Sequence, residues 1–247
     1  MKTRNIALLM MGGSGIRCGA PVPKQFVEIN NKEIYSYILD GLDRLDSIDD
    51  IIVVVHSDWI GHVEKYCSEA KLKKVYGVVS GGATRSESVL NGLVKAKEFA
   101  ADDDVVMMID TTHPYVDEKG IRELSDAVRE YGGATLGQRQ YDTCYRIDEN
   151  DMLTQVIPRQ EIVSGASPEG FLFKTIYDIY TNSTKEELDK MTSAGAIALA
   201  HNVKMKVCTL NTINLKITYP QDLEILKYLI NYNFKEVKNE EQITQYN

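Results

Sequence analysis

Four short apolar runs recur in the first half of the chain, and they constrain the fold more than any other feature. Ile6 to Met11 is unbroken and stops at Gly12-Gly13; Ile51 to Val55 is wholly β-branched; Val75 to Val79 and Val105 to Ile109 follow. Apolar stretches of this length without polar alternation suit strands buried on both faces. Between them the apolar residues return at helical spacing: Ile34, Ile38, Leu42 and Leu45, then a stretch from Asp58 to Ala70, then Ser86 to Ala100 with Val89, Leu93 and Ala96 on one face. Glu118 to Glu130 is helical again after the fourth run. This rhythm predicts an α/β fold: a mostly parallel, twisted sheet flanked by helices. Right-handed crossovers place the strand C-termini on one edge, where such sheets bind ligands. Gly12-Gly13, Gly81-Gly82 and Asp110 each follow a predicted strand, so they are expected to converge there.

The rhythm breaks between about Gly137 and Ala166, where Gln138 to Arg146, a polar turn at Asp148 to Asp151 and a returning strand predict a protruding hairpin arm. Helical pattern resumes at Leu172; Lys204 to Leu210 and Ile213 to Thr218 read as strands, and Pro220 opens a helix carrying Leu223, Ile225, Leu226 and Leu229. No repeat or linker divides the chain, so residues 1–247 read as a single domain with a polar, frayed tail over 238–247. At 247 residues and 43% hydrophobic content it can bury a proper core. The formal charge of −8 disfavours a general grip on nucleic acid or anionic membrane. No apolar run approaches the roughly 18 residues of a membrane span, and the opening apolar stretch is too short for a signal peptide. Cys18, Cys67, Cys144 and Cys208 form no CxxC pair and suit a reducing cytoplasm.

The chemistry concentrates in Gly12-Gly13-Ser14-Gly15-Ile16-Arg17-Cys18-Gly19, followed by Pro23-Lys24-Gln25-Phe26. Glycines let the backbone approach a ligand and turn successive N–H groups toward phosphate oxygens. No Gly-Lys-Ser/Thr closes the stretch, so it is not a Walker loop, and Cys18 stands where a dinucleotide fingerprint needs its third glycine. Two cations, Arg17 and Lys24, are placed to meet a triphosphate.

This stretch resembles the signature GxGxRxGxxxPKQF of the cytidylyltransferases that act on polyol phosphates, which serve isoprenoid synthesis on methylerythritol 4-phosphate or teichoic acid and capsule synthesis on ribitol 5-phosphate. Gly81-Gly82-Ala83-Thr84-Arg85-Ser86-Glu87-Ser88-Val89-Leu90-Asn91-Gly92-Leu93 is similar to a second family block, GGxxRxxSVxxGL. Lys216-Ile217-Thr218 with Pro220-Gln221-Asp222-Leu223 is similar to a third, and the resemblance covers roughly residues 5 to 230. It implies a Rossmann-like fold of the nucleotide-diphospho-sugar-transferase kind and transfer of CMP from CTP to a small polyol phosphate. Gly12, Gly13, Ser14 and Gly15 would cradle the triphosphate; Gly82, Arg85 and Ser88 would hold cytosine. Arg17, Lys24 and Lys216 would be catalytic, neutralising charge at the reacting phosphates. Asp110 matches a metal-binding aspartate and would anchor Mg²⁺.

On the acceptor side, the run from Ile157 to Phe171 resembles the ribitol-type members more closely. Ribitol 5-phosphate is therefore the leading acceptor, with methylerythritol 4-phosphate the runner-up and a non-catalytic nucleotide-binding homologue the alternative from another class. Arg159 matches an arginine that holds the acceptor's phosphate, Thr192 a hydroxyl contact to it, and the arm implies a homodimer in which Arg159 reaches its partner's site. The chain departs from the family pattern at His113, where an arginine is usual, at Ser167-Pro168-Glu169, which replaces Thr-Pro-Gln, and at Thr192-Ser193-Ala194, which lacks an acid. Elsewhere His56, His62 and His201 lack partners at metal spacing, Trp59 reads as a packing residue, and Asp102-Asp103-Asp104 reads as a solvated turn.

Overall fold

The apolar runs form the strands they predict. The computed structural model describes residues 3–13, 22–113, 117–210 and 213–231. The first half contains β1 (Asn5–Met11), β2 (Glu28–Ile29), β3 (Lys32–Glu33), α1 (Ile34–Arg44), β4 (Asp50–Val55), α2 (Ile60–Glu69), β5 (Val75–Ser80), α3 (Arg85–Ala96) and β6 (Val105–Asp110). The second contains α4 (Glu118–Tyr131), β7 (Gly133–Arg139), β8 (Cys144–Ile147), β9 (Leu153–Ile157), β10 (Val163–Leu172), α5 (Phe173–Asn182), α6 (Lys185–Asp189), α7 (Ala194–Ala200), β11 (Met205–Thr209) and α8 (Pro220–Asn231).

Seven strands make one sheet in the order β11-β7-β10-β6-β1-β4-β5. β1 pairs in parallel with β4 and β6, β4 with β5, and β11 with β7, whereas β10 runs antiparallel to both its neighbours. Alternate residues of each central strand face opposite layers, as the pleat requires. Ala7, Leu9, Met11, Ile51, Val53 and Val55 meet α1, α2 and α4, packing on Tyr35, Leu39, Val63, Leu124 and Val128. Ile6, Leu8, Met10, Ile52 and Val54 meet α3, α5 and α7, packing on Val89, Leu93, Phe173, Ile176 and Ile197. Burial on both faces explains why these strands read as continuous apolar runs. Chain order leaves β1 for β4 on one side and returns to β6 on the other, so a crevice opens beyond the C-termini of β1 and β6.

Three expectations are corrected. Gly137 to Arg139 belongs to β7 and Val163 to Ala166 to β10, so the arm is narrower than residues 137–166 and consists of the β8–β9 hairpin. Ile213 to Thr218 forms no strand: it crosses the sheet's ligand edge, where the Ile217 N–H donates to Thr112 O at 2.8 Å. Asp104 is buried, because its carboxyl group accepts the amides of Arg4 (2.7 Å) and Ala101 (2.8 Å) and ties the start of β1 to that of β6. Trp59 packs as expected, stacked on Phe26 with ring centres 3.9 Å apart. Residues 238–247 lie outside the described residues.

Candidate active site

The loops after β1, β5 and β6 meet at the crevice. The loop after β1 is tied down by Gln25, whose Nε2 donates to Met11 O (2.7 Å) and Gly13 O (2.9 Å). A methyl group on Gly12 would stand 3.2 Å from Ser88 Oγ, so this loop touches the first turn of α3. That turn is fixed locally. Thr84 caps it and Glu87 closes a capping box, its Oε2 accepting the amides of Ala83 (2.7 Å) and Thr84 (3.3 Å). Ser88 Oγ accepts the Gly82 N–H at 3.0 Å and donates to Thr84 O at 2.9 Å. Gly12, Gly82 and Ser88 are thus neighbours. Ser14, Gly15 and Arg17 lie outside the described residues.

Asp110, at the end of β6, accepts a hydrogen bond from Arg85 Nη1 at 2.8 Å, and Lys216 Nζ stands 3.9 Å from its other carboxyl oxygen. The Asp110 N–H donates to Ser167 Oγ at 2.9 Å. Lys24 Nζ donates to Ile217 O at 2.7 Å, which brings the crossing segment and the lysine of the glycine loop to one place. A cavity of about 320 Å³ opens here, lined by five of the residues singled out in the sequence: Arg85, Asp110, His113, Thr192 and Lys216. Arg159 is not brought to it. It sits on a short 3₁₀ turn at the base of the arm, exposed, with Nη1 donating to Tyr141 O at 2.5 Å.

Burial works against the charge of Arg85, but Asp110, their hydrogen bond and Glu169 offset it and hold the guanidinium above its ordinary value. Burial pushes the His113 imidazole down to about 4; Asp110 pulls the other way, while Lys216, Lys24 and Arg85 add to the drop. His113 is therefore neutral at pH 7 and adds no charge to the cavity. The cavity carries two fixed cations, Arg85 and Lys216, on Asp110, a constellation suited to holding and discharging phosphate groups. Among the described residues no three His, Cys, Asp or Glu side chains group as metal ligands. His62 instead pairs with Glu33 (2.8 Å) and His201 lies 3.3 Å from Ser183 Oγ.

Residues 6–231 match the family model described as IspD: 2-C-methyl-D-erythritol 4-phosphate cytidylyltransferase. The chain belongs to this family. It is a nucleotidyltransferase of the cytidylyltransferase kind. A 2-C-methyl-D-erythritol 4-phosphate cytidylyltransferase of Clostridium botulinum is 33% identical over 225 residues, covering 91% of this chain and 98% of that one. A ribitol-5-phosphate cytidylyltransferase of Streptococcus agalactiae is 28% identical over 226 residues, covering 91% and 95%. The fold is that of a crystal structure of 4-diphosphocytidyl-2C-methyl-D-erythritol synthase from Anaerococcus prevotii, with a TM-score of 0.77 at 22% identity over 93% of this chain and 96% of that one.

The sequence reading missed six residues of the cavity as site residues: Met108, Gly165, Ala166, Ser167, Glu169 and Ser193. Ser167, Glu169 and Ser193 are readable in the sequence only as departures from the family pattern. Gln25 lay within a quoted motif, but only the structure shows it pinning the glycine loop.

Proposed function

We propose that the protein transfers CMP from CTP to the phosphate of a small polyol, giving a CDP-polyol and pyrophosphate. The observation that supports this most is the meeting of Arg85, Asp110 and Lys216 in one cavity beside the Gly12 and Gly82 loops. An oxygen of the acceptor phosphate attacks the α-phosphorus of CTP; that P–O bond forms as the bond to the bridging oxygen of the β-phosphate breaks, and pyrophosphate carries away the electron pair. Lys24, Lys216 and Arg17 supply positive charge where negative charge builds up, and the backbone of Gly12, Gly13, Ser14 and Gly15 orients the triphosphate. Gly82, Arg85 and Ser88 are the candidate cytosine contacts from the family resemblance, so a purine triphosphate would be refused.

Asp110 is the candidate anchor for Mg²⁺. A single carboxylate fits an ion that keeps several waters and takes phosphate oxygens from the nucleotide. When bound, the ion would draw charge from the phosphates, while Arg85 and Lys216 flank the carboxylate that would hold it.

Ribitol 5-phosphate is supported as acceptor by the resemblance of the run from Ile157 to Phe171 and by the Streptococcus relative. Methylerythritol 4-phosphate is supported equally by the Clostridium relative, whose match spans nearly its whole length. The hairpin exposes Tyr145, Ile147, Leu153 and Val156, which supports a homodimer in which Arg159, at the base of the arm, would reach its partner's site. Among the described residues no helix is long and apolar enough to cross a membrane. The test is pyrophosphate release from CTP, ATP and GTP against a panel of polyol and sugar phosphates. Release only with CTP and a polyol phosphate is expected; equal use of ATP would reject the base assignment.

A further inference from the structure

Glu169 enters the same cavity from β10, through a stretch where the pairing with β7 shifts register between Ala166 and Glu169. Its Oε2 is buried and has no hydrogen-bond partner among the described residues. Such an oxygen is costly to leave unsatisfied, and in native proteins it commonly marks a function or a missing ligand. Room has been made for it: a methyl group on Gly195 would come within 2.5 Å of Glu169 Oε1, so any larger residue there would displace the carboxyl group.

The wall beside Glu169 is built from hydroxyls whose roles are already half assigned. Ser167 Oγ accepts the Asp110 N–H at 2.9 Å, and Ser193 Oγ accepts the Ala196 N–H at 3.1 Å. Each already accepts one backbone N–H and keeps its own proton to give. Thr192 adds a third hydroxyl on the same wall. The wall therefore presents donors from serine next to an acceptor from Glu169. Adjacent hydroxyls of a polyol chain fit this pattern, since each both gives and takes a hydrogen bond. A second anionic group at this end would face Glu169 and be repelled.

We propose that Glu169, flanked by the Ser167, Thr192 and Ser193 hydroxyls, is the residue that selects the acceptor, by taking a hydrogen bond from a hydroxyl of its carbon chain. The inference rests on the reading of the cavity as the acceptor site of a cytidylyltransferase. It orients the acceptor with its phosphate toward Lys216 and its hydroxylated chain toward Glu169. It also makes bisphosphates and sugar acids poor substrates.

The test is steady-state kinetics of wild type, Glu169→Gln and Glu169→Asp with CTP and ribitol 5-phosphate, 2-C-methylerythritol 4-phosphate and analogues of each lacking one hydroxyl. Wild type should lose on the order of tenfold or more in kcat/KM against one particular deoxy analogue, the one missing the hydroxyl that Glu169 takes. Glu169→Gln should raise the acceptor KM by about tenfold with CTP KM within about twofold, and should no longer discriminate against that analogue. A merely structural role for Glu169, as a brace for Arg85, would instead move CTP KM and leave the discrimination intact. Either that outcome or an unchanged acceptor KM overturns the proposal. Should neither variant fold, wild type alone decides, because equal use of every deoxy analogue also overturns it. A wild type inactive with all acceptors overturns the functional reading itself, a result distinct from normal turnover without selection at Glu169.

Discussion

His113 offers a measurement of how closed the cavity is. The residue is 9% exposed, its Nδ1 is buried without a partner among the described residues, and its imidazole is pushed down from an ordinary 6.5 to about 4. The unfolded chain takes up a proton at His113 near pH 6.5, and the folded protein only near pH 4. Between these values the unfolded state binds more protons, so the contribution is fully present above pH 6.5 and is lost as pH falls toward 4. Lowering the value that far corresponds to roughly 3 kcal/mol of destabilisation once the pH reaches 4 or below, of which about 2 kcal/mol has developed by pH 5. Replacing His113 with glutamine removes this titration and keeps a similar volume. Urea unfolding of wild type and His113→Gln between pH 5 and 7.5 isolates it, since most other groups cancel in the difference. The stability of wild type relative to the variant should fall by about 2 kcal/mol over that range. A difference that stays level with pH would refute the reasoning and show His113 to be solvated or paired.

Lys24→Ala should lower kcat/KM by two or more decades, about 3 kcal/mol of transition-state stabilisation, with the fold retained; near-normal turnover would remove Lys24 from the mechanism. Gly82→Ala would bring a methyl group to 2.2 Å from Glu87 Cβ. It should force open the capping box and cost roughly 1–3 kcal/mol in thermal unfolding while raising CTP KM; unchanged values for both would mean that the Gly82 turn has slack. Calorimetric titration of CTP with Mg²⁺ and with chelator should show the metal strengthening CTP binding in wild type and not in Asp110→Asn, and equal strengthening in both would exclude Asp110 as the anchor.

Much of this was legible before any coordinates. Strands buried on both faces announce themselves as unbroken apolar runs, so β1, β4 and β6 and the convergence of Gly12, Gly82 and Asp110 follow from pattern and crossover handedness alone. The segment Ile213 to Thr218 misled because alternating apolar residues suit a strand. Here Ile217 is buried against Ile29, Ile34 and Leu226 instead, and its N–H reaches the turn after β6 rather than a neighbouring strand. Asp104 misled because a run of three acids reads as solvated, whereas two backbone amides at the base of the sheet hold its carboxyl group. The acceptor wall was the least readable part. Ser167 and Glu169 lie on β10 and Ser193 in the turn before α7, and only the packing of these two segments makes them neighbours of Asp110.

The most direct test of the central claim is identification of the product by phosphorus NMR and mass spectrometry after incubating the protein with CTP, Mg²⁺ and either ribitol 5-phosphate or 2-C-methylerythritol 4-phosphate. One of the two acceptors should give a CDP-polyol with one equivalent of pyrophosphate, and Lys216→Met should suppress both signals together by about two decades or more. CTP left intact with both acceptors, or a product that forms undiminished in Lys216→Met, would contradict the account.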